Sequence, residues 1–400
     1  MGTAQWLMIP VSRFKIALLV LLVIGLGLAG LVGGRACYLA NHRTTPAVAS
    51  APSKTESPAT ATAPLTLATP SQPRPTGTGV FDQIAAEVSG VYEKAVPTVV
   101  RVRATDGPEQ LAGTGFFMDG QGTILTAYAV VGQADSASVD VNGRTLPAKI
   151  IGRDPRSGVA VLKINADQTP HLEFGEGLKL RPASAIVSVA FPYDLKAEPT
   201  FGFVAGFDVK YLTRFFATTH LRANLPIKPG QIGGPLLDSQ GKVVGVLMLE
   251  IDEGKACYAL PIEAASKVAA DIEKYGEPRH GWMGVGVMPD RSRPERGSPV
   301  FVDRLYKGTP AEKSGLKTGD EVISIGDKAV REPSDVLDAA FFSVVGGKVP
   351  VKVKRDGQEQ IFTITVSARP DSSRIVEPAP LFPNPNGGPA NQGMPVKGVR

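Results

Sequence analysis

The 400-residue sequence predicts a mainly β protein of two folded units behind a single membrane-spanning helix. Three observations carry this reading. First, 44 glycines and 34 prolines with only 6% aromatic residues favour many short strands and turns over long helices. Second, from Val99 to about Tyr275 short apolar runs recur between turn dipeptides, the pattern of an antiparallel barrel or sandwich. Third, the chain exceeds one domain's usual length, and the pattern breaks at Tyr275-Gly-Glu-Pro-Arg279.

Composition narrows the function classes. The formal charge of +5 is spread along the chain with no block of basic residues, which argues against nucleic-acid binding. Two cysteines, Cys37 and Cys257, cannot build a disulfide framework; the first reads as juxtamembrane and the second as buried in a strand. The four histidines, His42, His171, His220 and His280, lack ligand spacing and read as ordinary surface or turn residues. Neither a metal nor a cofactor is expected.

Taken in order, residues 1–15 form a short N-terminal segment. Ile16 to Gly34 carries no charge, and about 19 residues at a 1.5 Å rise approach the thickness of a bilayer core, so a transmembrane signal anchor is placed at 16–36. A cleaved signal peptide is the alternative, but the run exceeds an ordinary h-region and Ala47-Val48-Ala49 lies far downstream. Arg13 and Lys15 before the span balance Arg35 and Arg43 after it, so charge leaves the orientation open. Residues 44–78, rich in Pro, Ala, Thr and Ser, form a solvated linker that cannot offset the entropy of ordering. Phe81, Ile84, Ala85 and Val88 then repeat at helical spacing before Pro97.

The first folded unit is placed at 80–277. Its strands are expected at Val99 to Val102, Gly115 to Met118, Ile124 to Thr126, Ser138 to Val141, Ala148 to Ile151 and Val159 to Ile164. Asp119-Gly120 and Asn142-Gly143 are turn dipeptides, the second a hairpin signal. Ile262 to Tyr275 reads as a closing helix.

The second unit, 281–369, opens on Gly281-Trp-Met-Gly-Val-Gly-Val287. Pro310 starts a short helix ended by Gly315, Glu321 to Ile325 is a strand, and Ser334 caps a helix through Phe342. Val349 to Lys354 and Gln360 to Val366 alternate around Asp356-Gly357 as a hairpin. The tail at 371–400, Pro, Gly and Asn with few apolar residues, is expected to be disordered.

Three segments then carry a resemblance. Gly113-Thr-Gly-Phe-Phe-Met-Asp-Gly-Gln-Gly-Thr-Ile-Leu-Thr126, Ile151-Gly-Arg-Asp-Pro-Arg-Ser-Gly-Val-Ala-Val-Leu-Lys-Ile164 and Pro229-Gly-Gln-Ile-Gly-Gly-Pro-Leu236 resemble the HtrA (Deg) family of envelope serine proteases, and the likeness runs from about Val80 to Pro370. It implies a trypsin-like double six-stranded barrel followed by an α/β PDZ domain, residues 1–15 in the cytoplasm, and the folded domains on the periplasmic side of a bacterial inner membrane. It also assigns the three catalytic positions. Ala129 stands where the family has its general-base histidine, Gly158 where it has the aspartate, and Ile232 where it has the serine. A methyl group accepts no proton, glycine orients no imidazole, and an aliphatic chain attacks no carbonyl. Tyr128, Ser157 and His220 lie nearby in sequence but supply no nucleophile with base and orienter at motif spacing. Gly230, Gln231 and Ile232 mark a vestigial oxyanion loop.

The resemblance therefore implies a degenerate, catalytically inactive member. Its PDZ domain is expected to take protein C-termini or unfolded segments through Trp282, Met283, Gly284 and Val285, whose backbone N–H groups face a terminal carboxylate. Leu337 and Phe341, one helical turn apart, are candidates to line the side-chain pocket or to be plain core residues. Expected partners are such peptides, active HtrA-like homologues and the membrane, with a homotrimer implied by family analogy; the expected role is adaptor, regulator or chaperone-like helper in protein quality control. The alternative is an active serine endopeptidase with a rearranged site.

Overall fold

A computed structural model describes residues 79–212, 214–290 and 297–370. The expected N-terminal segment, anchor and linker and the tail at 371–400 lie outside the described residues. Among those described, no helix is long and apolar enough to cross a membrane.

Helix α1 (Val80–Ala95) starts where the Asp82 carboxylate accepts the Gly79 N–H (3.3 Å), satisfying a donor the first turn leaves open. Its last turns bury Val91 and Ala95. Val80 and Phe81 on its first turn stay 69% and 86% exposed.

Six strands follow: β1 (Val99–Asp106), β2 (Glu109–Phe117), β3 (Thr123–Ala127), β4 (Ala137–Val141), β5 (Arg144–Asp154) and β6 (Val159–Lys163), with a short helix α2 (Tyr128–Val131) after β3. They close into a barrel in the order β1-β2-β3-β6-β5-β4. The β4–β5 hairpin turns on Asn142 (φ 49°) and Gly143 (φ 78°), the left-handed pair that matches strand twist. A second closed barrel, ordered β10-β11-β12-β9-β8-β7, is built from β7 (Ala185–Ala190), β8 (Glu198–Tyr211), β9 (Arg214–Asn224), β10 (Pro235–Leu237), β11 (Val243–Ile251) and β12 (Ala256–Pro261). Cys257 on β12 is buried, and burial pushes its thiol up to about 12.

Helix α3 (Ile262–Tyr275) spans the range its pattern predicts and ends at Gly276 in the left-handed region (φ 75°). It buries Val268, Ala269 and Ile272 against the barrels, and Ile272 fits because residue 152 is glycine: a β-carbon there would lie 2.3 Å from its Cγ2.

The second domain carries β13 (Gly281–Trp282), β14 (Val285–Pro289), β15 (Val300–Leu305), α4 (Pro310–Lys313), β16 (Glu321–Ile325), β17 (Lys328–Ala329), α5 (Pro333–Phe342), β18 (Lys348–Arg355), β19 (Gln358–Thr365) and β20 (Ser367–Ala368). The main sheet runs β14-β15-β16-β18-β19, while β13 pairs with β20. The hairpin at Asp356-Gly357 forms as expected.

Two local expectations need correction. The cap of α5 is Glu332, not Ser334: Pro333 supplies the first helical φ, and the Asp335 carboxylate accepts the N–H groups of Arg331 (2.7 Å) and Glu332 (3.0 Å). Nor are His220 and His280 surface residues. His220 is 4% exposed and stacks on Phe216 with centroids 4.1 Å apart, while the His280 ring lies against Phe341.

Candidate functional site: a barrel cleft and a peptide groove

The loops bearing Ala129, Gly158 and Ile232 converge between the two barrels. Ala129 is an exposed residue of α2, whose first N–H, that of Tyr128, donates to the Gly158 carbonyl at 2.6 Å. Gly158 precedes β6 in the left-handed region (φ 83°), and a β-carbon added there would meet the Met248 sulfur at 3.2 Å. Ile232 is half-buried and packs on the cores of both barrels, and its carbonyl accepts the Thr114 N–H at 2.9 Å.

The surrounding loop is fastened by hydrogen bonds. The Thr114 hydroxyl donates to the Gly230 carbonyl (2.8 Å) and accepts the Phe191 N–H (3.0 Å). The buried Gln231 side chain accepts the Lys228 N–H (2.8 Å). Gly233 (φ 86°) approaches so closely that a β-carbon would lie 2.2 Å from the Thr114 carbonyl oxygen, so only glycine fits.

Two of the side chains nearest in sequence are engaged elsewhere: the Tyr128 hydroxyl accepts from Gln133 (2.9 Å), and His220 Nδ1 lies 2.9 Å from the Thr218 carbonyl on β9. Ser157 donates to Asp154 through its backbone N–H (3.2 Å), and its hydroxyl oxygen is buried without a hydrogen-bond partner.

The second region is a cavity of about 700 Å³ between β14 and α5. Trp282, Met283, Gly284 and Val285 form its rim loop, and Leu337 and Phe341 reach it from α5. Gly284 is left-handed (φ 76°), and a β-carbon there would sit 2.3 Å from the Thr309 Cβ. Around it the Met283 carbonyl accepts the Ala311 N–H (2.9 Å) and the Gly284 carbonyl the Tyr306 N–H (3.0 Å), fixing the loop's outward face. Strand β14 pairs only with β15 among the described residues, leaving its other edge toward the cavity. Leu337 is half-buried. Phe341 is 2% exposed and belongs both to the cavity wall and to the core shared with the barrels, with Lys267 Nζ 5.3 Å above its ring.

Three connections between the domains had no signature in the sequence. His280 Nε2 lies 2.7 Å from the buried Asp154 carboxylate. Burial pushes that carboxyl upward, but His280 and the donors of Ser157 and Arg156 outweigh it and hold it below the usual carboxylate range. Asp338 on α5 accepts from the Thr218 hydroxyl (2.5 Å), the Thr219 N–H (2.8 Å) and the Thr219 hydroxyl (2.7 Å). Arg156 from the barrel and Arg369 after β20 both line the cavity.

Residues 113–246 match the trypsin-like peptidase domain, and residues 281–366 match the PDZ domain. Fold and matches together define a trypsin-like peptidase barrel joined to a PDZ domain. Among curated relatives, probable periplasmic DegP-like serine endoproteases of Marinomonas sp. (strain MWYL1) and Halomonas elongata are 28% and 30% identical, covering 68% and 66% of this chain and 60% and 57% of those proteins. The HtrA-type protease AlgW, solved with a tripeptide, superposes with a TM-score of 0.62 at 24% identity, covering 72% of this chain and 99% of that one. The serine endoprotease from Yersinia pestis gives a TM-score of 0.53 at 24% identity, covering 71% and 98%. The chain belongs to the HtrA family, a family of serine endoproteases. It spans about 60% of the length of the DegP-like relatives it matches.

Proposed function

We propose that this chain is a membrane-anchored, non-catalytic HtrA-like protein that holds protein C-termini or unfolded segments in its PDZ groove. The role is that of an adaptor, regulator or chaperone-like helper in envelope protein quality control. The observation that carries it is the chemistry of the cleft: alanine, glycine and isoleucine at 129, 158 and 232 offer no base, orienter or nucleophile, while the glycine loop around them keeps its shape. The groove by contrast works through backbone N–H groups of Trp282 to Val285, beside a strand edge open for addition. AlgW was solved with a peptide and the DegP-like relatives are named periplasmic, which supports peptide binding and placement of the folded domains outside the inner membrane.

The test is to challenge the purified protein with an unfolded substrate and a fluorophosphonate probe, expecting neither cleavage nor labelling; either result would instead establish the active endopeptidase of the alternative reading. A peptide array should return binders whose affinity depends on Gly284, and binding indifferent to that residue would remove the groove from the proposal. A second reading, in which the barrels assemble as a homotrimer or with an active homologue, is favoured by the exposed Val80 and Phe81. Mass measurement after detergent extraction decides it.

A further inference from the structure

The cavity beside the Trp282 to Val285 loop holds two cations that peptide capture by backbone groups leaves without a task. Arg369 follows β20, and its N–H donates to the His280 carbonyl (3.0 Å), which places the residue next to the strand that leads into the loop. Arg156 comes from the opposite side, in the barrel turn between β5 and β6, where its own N–H donates to Asp154 (3.1 Å). Both line the one cavity.

Neither guanidinium forms an ion pair among the described residues, and the Nε of each is buried without a hydrogen-bond partner. The carboxylate whose charge acts on Arg156 is Asp154, already occupied by His280 at 2.7 Å and by the backbone N–H groups of Arg156 and Ser157. Burial, reinforced by the neighbouring charge of Arg369, pushes Arg156 down to about 10, and burial pushes Arg369 down as well. Two like charges withdrawn from water beside each other are costly unless an anion joins them. A guanidinium, with its planar fork of donors, is also the group that suits a carboxylate.

We propose that Arg156 and Arg369, one from each domain, form a single carboxylate subsite for the acidic end of a peptide held in the groove. The inference rests on the peptide-binding reading above and adds its chemistry: with the terminal carboxylate on the loop's backbone N–H groups, the ligand presents an Asp or Glu side chain near its terminus to this pair. Because one arginine belongs to the barrel, the site is complete only while the two domains are docked.

The experiment uses the full-length protein in detergent and fluorescein-labelled decapeptides ending in valine. These are made as free acid or C-terminal amide, with Glu or Gln next to last, and read by fluorescence polarisation. Arg156→Gln and Arg369→Gln should each weaken the preferred peptide about tenfold, with the double variant less than additive and its salt dependence reduced. A loss confined to Glu versus Gln supports the side-chain subsite, and a loss confined to the acid-versus-amide comparison overturns it. Arg156→Glu guards against a folding artefact, since it should gain affinity for the decapeptide with Lys next to last while losing the acidic one. Equal binding of all peptides by parent and double variant, with Gly284→Val abolishing it, overturns the subsite and leaves the groove standing. No binding of any peptide by the parent removes both.

Discussion

Replacing Asp338 with alanine takes away the carboxylate through which α5 holds the second barrel. Its oxygens accept from the Thr218 hydroxyl at 2.5 Å, the Thr219 N–H at 2.8 Å and the Thr219 hydroxyl at 2.7 Å. A hydrogen bond to a charged group contributes about 1.5–3 kcal/mol net, and three on one carboxylate are less than additive. Thr218 is fully buried and Thr219 is 8% exposed, so truncation also leaves buried donors without an acceptor. The combined cost to docking is about 3–5 kcal/mol, which moves the docked-to-undocked equilibrium by roughly two to four orders of magnitude.

Native-state hydrogen exchange reads this directly. Thr219 lies at the irregularity where β8 and β9 shift register between Asp208 and Lys210, and its N–H bonds to Asp338. Its exchange should accelerate about 100-fold or more in Asp338→Ala, while amides of the first barrel such as Leu125 keep their protection. Asp338→Asn, which retains one acceptor, should fall between. Exchange at Thr219 within about twofold of the parent, in a variant whose barrels stay folded, would refute the assignment of docking to this carboxylate.

Gly284→Val forces a β-carbon to within 2.3 Å of the Thr309 Cβ at φ 76°, so it should weaken peptide binding at least about tenfold and lower the melting temperature of the PDZ domain, both measurable on one preparation. Restoring Ala129→His, Gly158→Asp and Ile232→Ser together should create fluorophosphonate labelling that Ile232→Ser alone does not. The gain comes at a stability loss of about 2–3 kcal/mol by denaturant titration, because Gly158 is left-handed and Ile232 joins both barrel cores. The Asp154 carboxyl titrates lower in the folded than in the unfolded chain, so its contribution to stability is complete above about pH 4–5 and is lost as pH falls through the folded value. Asp154→Asn should remove that part of the acid limb in denaturation curves from pH 7 to pH 3.

Much of the fold could be read locally because its signals are local. The stripe and terminal glycine of α3, and the Asn142-Gly143 and Asp356-Gly357 turns, depend on residues within a few positions of each other. The cap of α5 was misplaced by two residues because Ser334 has the right chemistry, whereas Pro333 dictates the helix start. The pairings that join the domains were silent for a different reason. Thr219 meets Asp338 across 119 residues, and Arg156 meets the cavity wall of a domain that begins more than a hundred positions later. No periodicity or turn rule encodes such contacts; they follow only once both barrels are closed. His280 likewise reads as an ordinary surface or turn residue in the sequence because its carboxylate partner, Asp154, sits at the β5–β6 turn.

The glycines that make the cleft resemble a protease are required by packing alone. A β-carbon at Gly113 would lie 2.4 Å from Val130 and 2.8 Å from the Ile232 carbonyl, and one at Gly233 would strike Thr114 and Thr126. A chain with these barrels must keep the loop whatever residue stands at 232, so similarity over 113–246 reports a packing constraint shared with the family. On the function proposed above, the chemistry is decided separately, by the side chains at 129, 158 and 232. For the proposed PDZ groove the dependence is reversed, since capture of a peptide by backbone N–H groups needs only that the loop be folded. If the groove takes peptides as proposed, its performance is tied to the barrels through Arg156 on the cavity wall and through the Thr218 and Thr219 donors that hold the Asp338 carboxylate.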